Sequence, residues 1–275
     1  MICRQTVRGI EIPAEDFNLE QTLDCGQCFR WDKQEDGSYR GEAFGKKLLL
    51  TQDENAVIFH NTTPEDFQQI WRPYFDLDFA YGGVKERLSA IHPVLKEACA
   101  FSPGIRILRQ DPWEALCSFI ISQNNNIPRI KGIISRLCTV FGAGGFPAPE
   151  VLAPLDVEDL APLRSGFRAK YILSAARMVS SGEVDFSAVS SLPLEEARGI
   201  LMKIKGVGRK VADCALLYGF HRLDAFPMDV WMRRAMDVLF PGVAPEDFGE
   251  YAGVAQQYIF HYSRCHPALF KEKAG

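Results

Sequence analysis

LMKIKGVGRKVADCALLYGFHRLDAFPMDVWMRR, residues 201–234, predicts a helix, a tight turn, a second helix, a loop and a third helix. Gly206 and Gly208 flank a single residue, so the turn can take positive φ angles and bring bare backbone close to a ligand. Lys210 falls in the first turn of the next helix, where unpaired N–H groups and the helix dipole favour a phosphate. Asp229 precedes an apolar-periodic run and is the expected N-cap of the third helix. This stretch therefore predicts a nucleic-acid site with a backbone phosphate clamp, an amine and a carboxylate.

Composition places the chain among soluble globular proteins, with 275 residues of which 47% are hydrophobic and 24% charged. The net charge of −4 disfavours a protein that coats nucleic acid. Residues 201–234 nevertheless hold seven lysines and arginines against three aspartates, which favours one basic face and site-specific binding. Taken alone, such a stretch also fits a solvated helix face. We find no bilayer-spanning apolar run and no signal peptide, so we expect no membrane association and a cytoplasmic location.

The chain has eight cysteines, which we expect to be reduced thiols because no secretory signal is present. Cys25 and Cys28 form a CxxC pair, but a redox role requires a helix N-terminus and a zinc site requires a second ligand pair. His261, Cys265 and His266 fit no common zinc spacing with that pair. We therefore expect structural cysteines in turns and strands. The four-cysteine spacing of an iron–sulfur cluster is absent, so no cluster is expected.

Short strand-like runs, the first at residues 17–19, alternate with turn signals over the first 60 residues and predict an antiparallel sheet with one buried face. Helix caps follow, including Thr63 and Asp111, each with proline directly after it. The predicted fold class is α+β. A small antiparallel β-sheet domain over residues 1–100 packs on a larger all-helical domain over residues 101–275, which contains the helix-hairpin-helix motif.

The hairpin with Lys210 and the loop with Asp229 resemble the helix-hairpin-helix superfamily of DNA base-excision glycosylases. Further runs follow the order seen in 8-oxoguanine DNA glycosylases: CGQCFRW (25–31), GIRILRQDPWEALCSFIISQNNNIPRI (104–130), SGFRAKYI (165–172), GVGRKVADC (206–214), FPMDVW (226–231) and YAGVAQQYIF (251–260). The resemblance covers nearly the whole chain. It implies a monomeric, bifunctional glycosylase and AP lyase that removes 8-oxoguanine opposite cytosine from double-stranded DNA. No cofactor is implied, although hairpin carbonyls could coordinate a monovalent or divalent cation.

Lys210 and Asp229 are the catalytic residues that the resemblance implies. The neutral amine of Lys210 would attack C1′, and the resulting Schiff base would permit β-elimination. Because exposed lysines are protonated at neutral pH, we expect Arg209 and the helix N-terminus to favour the neutral amine. Asp229 would stabilise the developing oxocarbenium charge. Alternatively, Lys210 contacts a phosphate and Asp229 is an N-cap alone, worth about 1 kcal/mol.

Four residues correspond to the base pocket of the family. The carbonyl of Gly26 would accept the N7–H that 8-oxoguanine has and guanine lacks. Cys214 and Phe260 would sandwich the flipped base, and Gln256 would read its Watson–Crick edge. The residues themselves leave other roles open, since Cys214 fits core packing and Gln256 fits an exposed helix face.

Asn124, Arg129 and Arg168 correspond to the groups that hold the orphaned cytosine, and Phe167 to the aromatic wedge that fills the base stack. The family often has tyrosine at the wedge position, so this chain keeps the ring and loses a hydroxyl. The residues alone also fit a polar helix break at the asparagines and a core aromatic at Phe167.

The remaining positions concern DNA phosphates. Backbone N–H groups of Gly206, Gly208 and Val211 correspond to phosphate donors. Trp231 stands where better-known relatives carry a histidine that contacts a phosphate. Because an indole donates one hydrogen bond but takes no charge, the resemblance leaves this contact open.

Two other functions are weighed against the leading one. Alkylated-base or mismatch glycosylases of the superfamily commonly lack the hairpin lysine or carry an iron–sulfur cluster, so Lys210 disfavours them. A non-catalytic lesion-binding protein is disfavoured because both Lys210 and Asp229 are present. The short tail after Phe270 and the lack of a basic targeting segment suggest a bacterial, nucleoid-associated protein of the cytoplasm.

Overall fold

The computed structural model describes residues 2–270, so Met1 and the tail after Phe270 lie outside the described part. A six-stranded antiparallel sheet comes first, with the strand order β1-β2-β6-β5-β4-β3. Its strands are β1 (Arg4–Thr6), β2 (Gly9–Pro13), β3 (Trp31–Lys33), β4 (Tyr39–Ala43), β5 (Lys46–Gln52) and β6 (Ala56–His60). Successive side chains of β5 point to opposite faces of the sheet, as the sequence predicts. Leu48 and Leu50 are buried, whereas Leu49 between them is half-buried.

Residues 17–19, predicted as a strand, instead lead into helix α1 (Leu19–Leu23). The side chain of Asn18 accepts a hydrogen bond from Gln21 N at 2.9 Å and caps this helix. A three-residue apolar run does not distinguish a strand from a helix turn, so the cap decides the local structure.

The other helices are α2 (Pro64–Asp66), α3 (Arg72–Tyr74), α4 (Tyr81–Ile91), α5 (Pro93–Phe101), α6 (Pro112–Ser122), α7 (Ile127–Phe141), α8 (Pro149–Leu152), α9 (Ala169–Ser180), α10 (Phe186–Ser191), α11 (Leu194–Leu201), α12 (Arg209–Tyr218), α13 (Val230–Leu239) and α14 (Ala252–Cys265). A π-helical turn joins α2 to α3, and a 3₁₀ turn, Gly166–Arg168, precedes α9. The predicted caps are confirmed, because the side chains of Thr63 and Asp111 accept hydrogen bonds from Asp66 N and Glu114 N.

Two buried apolar cores lie side by side. One lies against the sheet and includes Trp31 and Trp71, and the other lies among the helices. This confirms the α+β fold class. Helices α4 and α5 pack into the helical core although both begin before residue 101, so the domain border at residue 100 stays a prediction.

The segment between α5 and α6 holds the loop after α1 in place. Gln27, fully buried, donates from Nε2 to the carbonyl oxygens of Thr22 (2.9 Å) and Arg106 (2.8 Å). Its Oε1 accepts from Leu108 N at 2.9 Å. Because each polar atom of this buried amide has a partner, the backbone on either side, including Gly26, is firmly positioned.

Candidate active site

The turn between α11 and α12 has the geometry that its glycines predict. Gly206 has a φ of 86°, and a Cβ at this position would come within 2.3 Å of the Tyr171 ring. Glycine is therefore required both for the left-handed backbone and for the close approach of the ring. Gly208 is the N-cap of α12 and supplies no side-chain cap, which leaves N–H groups of the first turn available to a ligand.

Lys210 and Asp229 line one cleft of about 480 Å³. Lys210 Nζ lies 3.5 Å from Ser122 Oγ and 5.4 Å from the centroid of the Phe119 ring. Asp229 is the N-cap of α13, since its Oδ1 accepts a hydrogen bond from Met232 N at 2.7 Å. Both side chains are half-buried, so the amine and the carboxylate can meet a substrate in the same cleft.

Arg209, which was expected to act on Lys210, is engaged elsewhere. Its guanidinium lies 3.2 Å from Glu195 and 3.9 Å from Asp213. Asp213 is itself buried against Arg198 at 2.5 Å. The charge of Arg209 is thus offset by two carboxylates of the hairpin, and this geometry gives it no direct part at the amine.

The four predicted base-pocket residues come together. Gly26, Cys214, Gln256 and Phe260 line a cavity of about 50 Å³ that shares Lys210 and Asp229 with the cleft. Burial raises the pKa of the Cys214 thiol to about 11, so the thiol is neutral near pH 7 and offers an apolar contact. Gln256 is buried, with 5% of its surface exposed, so its alternative as an exposed helix residue is wrong.

Two further residues of this cavity have no signal in the sequence beyond a glutamine doublet. Tyr218 Oη donates to Gln257 Oε1 at 2.5 Å and lies 3.4 Å from Gln256 Oε1. Gln257 Nε2 donates to the carbonyl oxygen of Cys25 at 3.2 Å. This chain of contacts ties α12 and α14 to the backbone directly before Gly26.

The residues expected at the orphaned cytosine lie around one loop. Arg168 is buried and donates to the carbonyl oxygens of Gln123 (2.9 Å) and Asn124 (2.8 Å), and its guanidinium lies 4.5 Å from the Phe167 ring centroid. Burial, together with the nearby charge of Arg129, lowers the pKa of Arg168. Arg129 is exposed, and Phe167 is 48% exposed. Arg168 therefore supports the loop, and its direct contact with cytosine stays a prediction.

Asn124 has a φ of 47°, so the polar helix break allowed by the sequence is present. Trp231 is the residue at which the sequence left a phosphate contact open. Its indole N–H donates to Ser263 Oγ at 2.8 Å. The single donor of this side chain is already used, which weighs against the phosphate contact that the resemblance left open. Val211, on α12, is buried, so its expected contribution is a backbone one.

Cys25 and Cys28 are buried free thiols in the loop after α1. Burial raises the pKa of Cys25 to about 12 and that of Cys28 well above its usual value, which disfavours a redox thiolate. Between residues 2 and 270, no three His, Cys, Asp or Glu side chains are grouped so that they could hold a metal ion. Over the same residues, every helix is too short or too polar to cross a bilayer.

Comparison with known proteins gives matches over both parts of the chain. Residues 9–116 match the 8-oxoguanine DNA glycosylase N-terminal domain, and residues 117–244 match the HhH-GPD superfamily of base excision DNA repair proteins. The N-glycosylase/DNA lyase of Saccharomyces cerevisiae is 32% identical over 82% of this chain and 69% of its own length. The chain belongs to the 8-oxoguanine DNA glycosylase family.

Solved structures of the family extend the likeness to the whole described fold. The Clostridium acetobutylicum 8-oxoguanine glycosylase/lyase, bound to duplex DNA with cytosine opposite 8-oxoguanine, is 37% identical, covers 97% of this chain and 99% of its own, and has a TM-score of 0.89. MBOgg1, bound to a low-affinity DNA ligand, is 45% identical with the same coverage and a TM-score of 0.90. The family recognised from the sequence is therefore confirmed.

Proposed function

We propose that this protein is a bifunctional DNA glycosylase and AP lyase that excises 8-oxoguanine opposite cytosine from duplex DNA. The observation that carries the proposal is the convergence of Lys210, Asp229, Gly26 and Phe260 on one cleft, although these residues come from distant parts of the chain. The substrate follows from the DNA bound by the similar Clostridium acetobutylicum protein.

The chemistry begins when the target nucleotide leaves the base stack, at a cost of roughly a few kcal/mol. The neutral amine of Lys210 forms a bond to C1′ as the bond between C1′ and the base nitrogen breaks, and the departing base takes up a proton. Asp229 stabilises the positive charge that develops on the sugar. Opening of the sugar ring gives a Schiff base, and loss of a C2′ proton then expels the 3′ phosphate by β-elimination.

Recognition of the base takes place in the cavity behind the cleft. Gly26 accepts the N7–H of 8-oxoguanine, and guanine, which lacks this proton, loses about 1–3 kcal/mol. The cavity and the cleft share Gly26, Lys210, Asp229 and Phe260, so they form one continuous space for the flipped base. Phe260 is half-buried where the two meet, so we expect its ring to contact the base.

Borohydride trapping tests the proposal. Reduction of the Schiff base during incubation with an 8-oxoguanine:cytosine duplex should leave a covalent protein–DNA adduct. Lys210→Gln should abolish the adduct, whereas Lys205→Gln, a matched change at an exposed lysine of the same turn, should leave it intact.

Each alternative gives a different result. A non-catalytic lesion-binding protein would retain the duplex without an adduct or base release. An alkylated-base glycosylase would release a base from a 3-methyladenine duplex and leave 8-oxoguanine in place. An adduct that survives Lys210→Gln would contradict the assignment of the nucleophile.

Two narrower predictions accompany the activity. Hairpin carbonyls coordinate a monovalent or divalent cation when a phosphate binds, so removal of such cations should weaken DNA binding.

The bacterial origin and cytoplasmic location expected from the sequence stay predictions, since the curated relatives include proteins of an archaeon, a yeast and a plant.

A further inference from the structure

Arg264 lies at the rim of the cleft, one helical turn after Phe260 on α14. It lines the same cleft as Lys210 and Asp229 and is exposed. Among residues 2–270, no carboxylate forms an ion pair with it. An arginine beside a candidate catalytic pair, with its donors open to solvent, is available to an incoming ligand.

Trp231 holds this guanidinium in place. The Cζ of Arg264 lies 5.6 Å from the centroid of the Trp231 ring and 5.9 Å from that of Phe260. The indole is itself fixed, because its N–H donates to Ser263 Oγ and its ring packs 5.2 Å from Phe270. A cation–π contact of this kind restricts the rotamers of a long side chain before a ligand arrives.

The chemistry of the site selects an anion with paired oxygens. A guanidinium that lies over an aromatic ring still has N–H donors for bidentate contact with phosphate oxygens. Asp229 also lines the cleft, but its Oδ1 already accepts a hydrogen bond from Met232 N as the cap of α13. Asp24, also in the cleft lining, accepts a hydrogen bond from Tyr39 Oη. His261 lines the cleft too, and burial lowers the pKa of its ring, so it adds little positive charge near pH 7.

We propose that Arg264, held on the face of Trp231, binds a DNA phosphate beside the nucleotide that enters the cleft. This inference rests on the proposed function and adds a contact to it. The hairpin of α11 and α12 supplies backbone donors on one side of the cleft, and Arg264 supplies a charged donor from α14. Trp231, which cannot take a charge, acts as the platform for the residue that carries one.

Salt dependence of binding gives the first test, with a duplex that carries a tetrahydrofuran abasic analogue opposite cytosine, so that no cleavage step intervenes. Arg264→Gln should weaken binding roughly five- to tenfold and make the slope of log K against log salt shallower by about 0.9, as expected for one lost phosphate contact. Arg4→Gln, a matched change at an exposed arginine on β1, should leave both unchanged. The proposal would be overturned if the salt slope of Arg264→Gln equalled that of the wild type, or if Arg4→Gln changed the slope by the same amount.

Neutral methylphosphonate linkages, placed one at a time around the abasic analogue, give the second test. The wild type should lose affinity at one linkage where Arg264→Gln loses none, while both proteins respond alike at all other linkages. Identical profiles would overturn the contact. Failure of this inference is distinct from failure of the proposed function, because borohydride trapping by the wild type and its loss in Lys210→Gln test the nucleophile whichever group Arg264 contacts.

Discussion

Asp229 shows how one side chain can have two roles. Its Oδ1 caps α13 through Met232 N at 2.7 Å, and the same carboxylate lines the cleft with Lys210. The two roles separate chemically, because asparagine caps a helix about as well as aspartate but carries no charge.

We predict that Asp229→Asn slows base release on the order of 100-fold or more and leaves thermal stability nearly unchanged, since the cap is kept and the charge is lost. Single-turnover base release and the dissociation constant should be measured on the same 8-oxoguanine:cytosine duplex. Equal losses in rate and in affinity would contradict a role for Asp229 in the chemical step.

Arg129 is the exposed member of the group around the orphaned-cytosine loop. We predict that Arg129→Ala reduces the preference for cytosine opposite the lesion by about 1–3 kcal/mol, the usual size of a lost arginine–base contact. Excision rates opposite all four bases provide the measurement, with Arg40→Ala on β4 as a control for loss of an exposed arginine. An unchanged preference would exclude Arg129 as the cytosine reader.

Hydrogen bonds from neighbouring secondary-structure elements position the loop that carries Gly26. Gln27 anchors this loop to the segment before α6, and Gln257 anchors it to α14. Tyr218 of α12 orients Gln257, so three elements fix the position of one carbonyl acceptor. A shift of this loop would change how well the cavity distinguishes 8-oxoguanine from guanine.

Tyr218→Phe removes the hydroxyl that orients Gln257 and should lower the selectivity for 8-oxoguanine over guanine about fivefold, the value of one net hydrogen bond. Tyr258→Phe is the matched control, because this buried tyrosine of α14 donates to the carbonyl oxygen of Ile105 at 3.3 Å. If both variants lose selectivity equally, the effect is on packing and the positioning role of Tyr218 is wrong.

Arg168 joins the turn before α9 to the loop between α6 and α7. Arg168→Met should lower the free energy of unfolding by roughly 1–3 kcal/mol, because the part-buried hydrogen bonds from this guanidinium to the carbonyl oxygens of Gln123 and Asn124 are lost. Chemical denaturation measures this change, with Arg129→Ala as the comparison at an exposed neighbour. Wild-type stability in Arg168→Met would show that the loop does not depend on this contact.

For the whole molecule, Arg30 connects the sheet to the helices. Its guanidinium lies 2.8 Å from Glu42 on β4 and 3.0 Å from Glu114 on α6, and all three side chains are largely buried. Burial raises the pKa of Glu114 from 4.5 to about 7, although Arg30 opposes this shift. Glu114 therefore makes the contact between the two parts of the protein sensitive to pH.

Between pH 4.5 and 7 the folded protein holds a proton on Glu114 that the unfolded chain has lost. The folded state binds more protons, so the contribution of Glu114 to the free energy of unfolding falls as pH rises, by at most about 1.4 kcal/mol per pH unit. Glu114→Gln should remove this dependence, whereas Glu86→Gln, at an exposed glutamate of α4, should keep it. Denaturation curves at several pH values provide the measurement, and parallel profiles for wild type and Glu114→Gln would contradict the raised pKa.

Local sequence determined much of this protein. The glycines at 206 and 208, the Thr63 and Asp111 caps and the alternation in β5 act within a few residues, so their patterns predict the hairpin, the helix starts and the sheet. Residues 17–19 show the limit of such patterns, because a strand and a capped helix turn remain equally compatible with three residues.

Tertiary structure decided what depends on contacts between distant segments. The burial of Gln256, the link from Tyr218 through Gln257 to Cys25, and the pairing of Arg209 with Glu195 have no local pattern. Trp231 and Arg264 are 33 positions apart, and only packing of α13 against α14 places the guanidinium over the indole. The sequence shows which reactive groups are present. Their roles depend on their contact partners and solvent exposure, and folding decides both.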